Sequence, residues 1–239
     1  MKTRRLPDTD LAIFASLDQG EPLERALRAY KAGGGAWSYD PVKQSSGDIL
    51  AARAPFYEPV APIAWSKIER QIRQACLKGA KQIESNVQVG KVLYDSGRSL
   101  HWSAVSFPMG YLPTGVGGGV RYWHDIVIVV DGRAIIPFFD FRRGRGVASA
   151  AVRKIVFSMQ NIWIRDRHAD LANARLGVFR FPTVEKERYL NIHLHDDGDL
   201  LSFEELDARV RVVYETWSRI CAERSASPGL PRTATPFGF

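Results

Sequence analysis

The chain is poor in cysteine. Its 239 residues include two, Cys76 and Cys221, and no Cys-x-x-Cys pair, which argues against a zinc site of that type. Both fall inside predicted helices, so two buried, reduced thiols are the expectation. No apolar run approaches the roughly 20 residues that cross a bilayer. "MKTRRLPDTD" (1–10) carries basic residues, but no apolar stretch long enough for a signal peptide follows them. A cytoplasmic protein is expected. There is no Gly-x-Ser-x-Gly elbow, no His-Glu-x-x-His helix and no dinucleotide fingerprint. The glycine-rich "PTGVGGGV" (113–120) lacks a terminal Gly-Lys-Ser/Thr and precedes a strand, so it reads as a flexible connection. No internal repeat or long low-complexity tract occurs.

Apolar residues make up 45% and charged residues 25%, ordinary for a globular chain with a sizeable core. Acids are fewer than bases, giving a net charge of +7 and a pI near 9.5. A basic balance of this size favours polyanionic partners, nucleic acid first.

Periodicity orders the chain. "EPLERALRAY" (21–30) has helical spacing and stops at the glycines 33–35. Trp65, Ile68, Ile72, Cys76, Ile83 and Val87 continue one apolar helical face from about 63 to 94, with Gly79 and Gly90 as points of interruption. Residues 100–111 read as a strand, 147–167 as a helix, and 174–182 and 188–196 as strands. Ser202 and Glu205 form a capping box opening a helix over 203–224. The expected fold is α/β or α+β: a central mixed sheet containing a β-hairpin, with helices on both faces. Residues 1–60 read as a helical and loop extension, 61–224 as the α/β domain and 225–239 as a Pro-rich tail.

The hairpin is "HDIVIVVDGRAIIPFFDFRRG" (124–144). Asp131-Gly132 is a two-residue turn of the type that needs positive φ at both positions. That turn sets Val130 opposite Arg133, Asp125 opposite Phe138 and Asp140 opposite Trp123. Both faces of the hairpin are apolar, as in a strand covered on both sides. Asp125, Phe138, Asp140 and Arg142 share a face. The two acids are diagonal neighbours, roughly 7–8 Å apart, a separation at which carboxylates can lean onto one divalent cation such as magnesium. Arg142, Arg143 and Arg145 follow between strand and helix, where guanidinium forks suit phosphate. Solvated strand ends or salt bridges are the plain alternative for the acids, and a solvated loop for the arginines.

On these residues the region resembles the PD-(D/E)xK nuclease superfamily, in particular the RecB-type nuclease domain, over roughly 63–182. Asp125 matches the family's first acid. Asp140-Phe141-Arg142 matches its Asp/Glu-x-Lys, with Arg142 where lysine is expected. The RecB-type Gln-x-x-x-Tyr is missing, since Gln160 is followed four places on by Ile164. The resemblance implies a restriction-endonuclease-like core. It implies magnesium or manganese held by Asp125, Asp140 and Glu84 of the preceding helix. Phosphodiester hydrolysis would involve Asp125, Asp140 and Arg142, with nucleic acid, DNA foremost, contacted by Arg142, Arg143, Arg145 and Lys154. Arginine is no base, so three versions stay open: a site working with Arg142, one in which Lys154 replaces the lysine, and a dead site that only binds nucleic acid. A non-catalytic nucleic-acid-binding or assembly protein is the alternative function, with a scaffold of no nucleic-acid role behind it. His193 and His195 read as polar strand positions rather than a metal pair, and Trp123 as core or as a base-stacking ring beside the acids.

Overall fold

The hairpin turn forms where the sequence places it: Asp131 and Gly132 have φ of 49° and 74°. Val130 pairs with Arg133, Val129 with Ala134 and Ile128 with Ile135, the register the turn dictates. The computed structural model describes residues 5–30, 39–53, 61–112, 120–122, 124–142, 144, 146–196 and 198–226. Arg143, Arg145, Trp123, the loop 113–119 and the tail from 227 lie outside the described residues.

Four helices come first: α1 (Asp8–Ala15), α2 (Glu21–Ala29), α3 (Asp40–Gln44) and α4 (Ser46–Ile49). The expected long helix is two, α5 (Trp65–Ala75) and α6 (Ala80–Ser99). The break falls at Gly79, where φ is 92°. Then come β1 (Ser103–Ser106), the short β2 (Tyr111–Leu112) and β3 (Val120–Arg121), and the hairpin strands β4 (Ile126–Val130) and β5 (Arg133–Asp140). Helix α7 (Ala150–Trp163) is capped by the Ser149 hydroxyl, which accepts from the Val152 amide. Strand β6 (Arg175–Arg180), the short β7 (Thr183–Val184) and β8 (Glu187–Arg188), β9 (Asn191–Leu194) and α8 (Phe203–Ala226) complete the order. The capping box of α8 is present: Ser202 N–H donates to Glu205 and Glu205 N–H to Ser202.

The main sheet has five strands in the order β1-β4-β5-β6-β9. It is mixed: β5 and β6 run parallel, the other neighbours antiparallel. Val127, Ile136, Phe138, Leu176 and Val178 point to one face, onto a core shared with α1, α2, α7 and α8. Ile126, Ile128, Ile135, Phe139 and Phe179 point to the other, beneath α3, α4, α5 and α6. Residues 5–30 and 39–53 thus supply core side chains on both faces. The mixed α/β class with helices on both faces is as expected. Cys76 and Cys221 are half-buried rather than buried.

Helix α1 had no periodic signal because its buried residues, Asp8, Thr9, Leu11, Ala12, Phe14 and Ala15, run around the helix. Strand β5 carries Pro137 in mid-sheet, where a missing N–H is normally excluded. The pairing with β4 stops at Ile135 while the parallel pairing with β6 runs on to Asp140, and side chains serve the carbonyls around the proline. The Tyr122 hydroxyl donates to the Pro137 carbonyl at 2.6 Å. Gln160 Nε2 lies within hydrogen-bond distance of the Ile136 carbonyl (2.8 Å), the Gly177 carbonyl (3.2 Å) and the Tyr122 oxygen (3.1 Å). Gln160→Leu strands these buried acceptors, so unfolding free energy should fall by about 1–3 kcal/mol, measured by urea denaturation.

Candidate functional site

Asp140 ends β5 and is 1% exposed. Its Oδ2 accepts the Val147 amide at 2.8 Å and its Oδ1 the Arg142 amide at 3.3 Å, with Arg180 Nε 3.8 Å from Oδ2. Gly146 packs against it: a Cβ there would sit 2.0 Å from Asp140 Oδ2, and its φ is 34°. The carboxylate ties together the loop that carries the chain from β5 into α7. A buried carboxylate is tolerated where backbone amides and a cation satisfy it.

Asp125 is half-buried, and its Oδ1 accepts the Met109 amide at 3.0 Å. It lies just before β4, and the β4–β5 register runs only from Val130–Arg133 to Ile128–Ile135, short of the expected pairing with Phe138. Glu84 does not join the two acids. It is an exposed residue of α6, hydrogen-bonded by Gln88, and α6 covers the opposite face through Val89 and Leu93, with the sheet between. Lys154 is exposed on α7, whose Val152, Ile155 and Val156 face inward. Among the described residues no group of three or more His, Cys, Asp and Glu side chains is arranged to hold a metal ion.

Arg142 turns toward α1, where its Nη1 meets Asp10 Oδ1 at 2.7 Å. Burial works to lower its pKa, and Asp10, Asp140 and Asp8 outweigh this and hold it above the ordinary arginine value. Close by, Asp8 is buried, its Oδ1 accepting the Thr9 amide and hydroxyl. Burial raises its pKa above 3.8, against Lys43, Thr9 and Arg142. His124 Nε2 lies 3.8 Å from Asp8 Oδ2. Burial, then Lys43, pushes the His124 pKa well below 6.5, so the imidazole is neutral and the contact is no ion pair near neutral pH. His124 sits instead among the rings of Tyr122, Phe138, Phe139 and Phe141. Sequence spacing missed this cluster because α1, which supplies Asp8 and Asp10, was not visible. His193 is half-buried in β9, and His195 bonds the Gly198 carbonyl.

Asp140→Ala should cost about 1–3 kcal/mol by leaving the Val147 amide without its acceptor and removing the carboxylate beside Arg180, and Gly146→Ala should also lower Tm through the clash. The unfolded chain protonates His124 below pH 6.5 while the folded chain resists, so that residue's contribution is lost as pH falls below 6.5. Asp8 acts in the opposite sense above 3.8. Tm measured from pH 7 to pH 5 should therefore decline less steeply in His124→Phe than in the wild type.

Comparison with known proteins identifies the family. Residues 9–227 match the family model described as the sliding clamp-binding bacterial toxin SocB. The chain is 34% identical over 225 residues to the DNA replication inhibitor toxin SocB of Caulobacter vibrioides (strain NA1000 / CB15N), covering 94% of this chain and 93% of that protein. No solved structure matches. This match overturns the nuclease resemblance: no nuclease family is indicated, nor a hydrolase or nucleic-acid-binding protein with DNA as partner. The expectation of magnesium or manganese came with that resemblance and loses its support with it. The short Asp…Asp-x-Arg pattern arose because carboxylates that hold loops at strand ends share the spacing of a metal pair. The chain belongs to the SocB family of sliding clamp-binding bacterial toxins.

Proposed function

We propose that this protein inhibits DNA replication by binding the sliding clamp. The observation that carries the reading is the family match over residues 9–227, which spans both helical layers and the whole sheet rather than a fragment of them. The roles found for Asp140, Asp125 and Arg142 support inhibition by occupancy rather than catalysis, since the two acids accept backbone amides of loops and Arg142 pairs with Asp10 of α1. The net charge of +7 suits an acidic partner surface. Replication proceeds in the cytoplasm of a bacterium, so action there follows. No helix among the described residues is long and apolar enough to cross a membrane.

An inhibitor of this kind works stoichiometrically. In clamp-dependent primer extension, inhibition should rise with the ratio of this protein to clamp and be relieved by adding free clamp. Calorimetry should show saturable binding to the clamp in the absence of DNA. No heat of binding, with no effect on extension, would reject the proposal.

A further inference from the structure

We infer that the turn between α5 and α6 is the part of this chain that enters the clamp, with Leu77 as its anchoring side chain. The inference rests on the clamp-binding reading above and adds where the contact is made. Leu77 is 90% exposed, against 57% for Val184, 53% for Phe203, 49% for Leu100 and 42% for Tyr189, the other large exposed apolar side chains among the described residues. Exposed apolar side chains are common singly. Leu77 differs in its setting, at the tip of a helical hairpin. From Arg73 to Lys81 every residue except Cys76 is exposed. Helix α5 buries Ile68 and Ile72 behind the tip, and α6 first buries Gln82. The leucine therefore stands on the exposed tip, outside the buried core.

The tip is rigidly built. The Lys78 amide donates to Gln82 Oε1 at 2.7 Å, and Gln82 is 3% exposed. Asn86 Nδ2 donates to the Gln82 carbonyl at 2.9 Å, and Asn86 Oδ1 accepts the Val42 amide at 3.2 Å. Gly79, at φ 92°, takes the left-handed step that starts α6. Behind it the helices touch closely, since a Cβ on Gly90 would lie 2.9 Å from Ile72 Cδ1. Buried amide side chains thus lock a turn that holds a hydrated leucine outward. Such an anchor is ordered before binding and loses little conformational freedom on burial. Arg73, Lys78 and Lys81 surround it on the exposed surface, with Arg73 also paired to Glu69. The matching partner surface is an apolar pocket with an acidic rim, and we assign that pocket to the sliding clamp.

The test is calorimetric binding of the full chain to purified clamp, with wild type, Leu77→Ser, Lys78→Glu/Lys81→Glu and Val184→Ser. Leu77→Ser should bind on the order of 10- to 100-fold more weakly, with Tm unchanged, and should fail to inhibit primer extension. Lys78→Glu/Lys81→Glu should bind more weakly and with less salt dependence. Val184→Ser should match the wild type. Wild-type affinity in Leu77→Ser would overturn the assignment of the tip while leaving the clamp reading intact. Loss of self-association in Leu77→Ser, with clamp binding kept, would overturn it in favour of a second copy of this chain. A wild type that does not bind the clamp would overturn both.

Discussion

Strand β5 has no face toward water. From Ile135 to Asp140 every residue is buried, and each face of the strand lies under helices. Two apolar faces require two helical layers, and residues before the sheet supply part of each: α1 and α2 beside α7 and α8 on one side, α3 to α6 on the other. Burial also obliges every polar group in the strand to find an internal partner. The parallel ladder with β6 supplies partners from Ile135 to Asp140, and beyond the end of the β4 pairing side chains add to it, with Tyr122 and Gln160 on the carbonyls around Pro137 and Asp140 on the amides of the following loop.

That obligation explains why the hairpin looked like a metal site. An ionised carboxylate offers acceptor oxygens alone, and these serve a cation or an amide equally well. Loops leaving a buried strand carry amides with no ladder partner. Asp140 meets those of Arg142 and Val147, and Asp125 meets that of Met109. Arg142 joins the same network through Asp10 rather than reaching outward. The ladder between β4 and β5 ends at Ile128–Ile135, before it reaches Asp125, and the choice of ligand for each acid rests on what the fold brings against it. Glu84 shows the limit clearly, since a helix preceding the hairpin can cover either face and α6 covers the other one.

A protein that acts by holding a partner needs a stable frame and a presented surface. The two-layered burial of the sheet supplies the frame. The hairpin of α5 and α6 supplies a surface element that leaves the frame, with its geometry set by buried Gln82 and Asn86. Neither requires a catalytic constellation, which accords with carboxylates committed to backbone support.

Local signals were enough for the features that depend on neighbours in the chain. The Asp-Gly turn set the register of β4 and β5, period-two alternation predicted cover on both faces, and the Ser202–Glu205 box marked the start of α8, because each rests on contacts a few residues apart. The buried helix α1 gave no rhythm to read, and the division of α5 from α6 was legible only as one of two glycines. The roles of Gln160, His124 and Asp8 depended on partners dozens of residues away. Which side of the sheet α6 occupies, and so whether Glu84 could reach Asp140, was decided by tertiary packing. Spacing along a chain states which groups can meet locally; the crossing of the sheet by its connections determines which of them do.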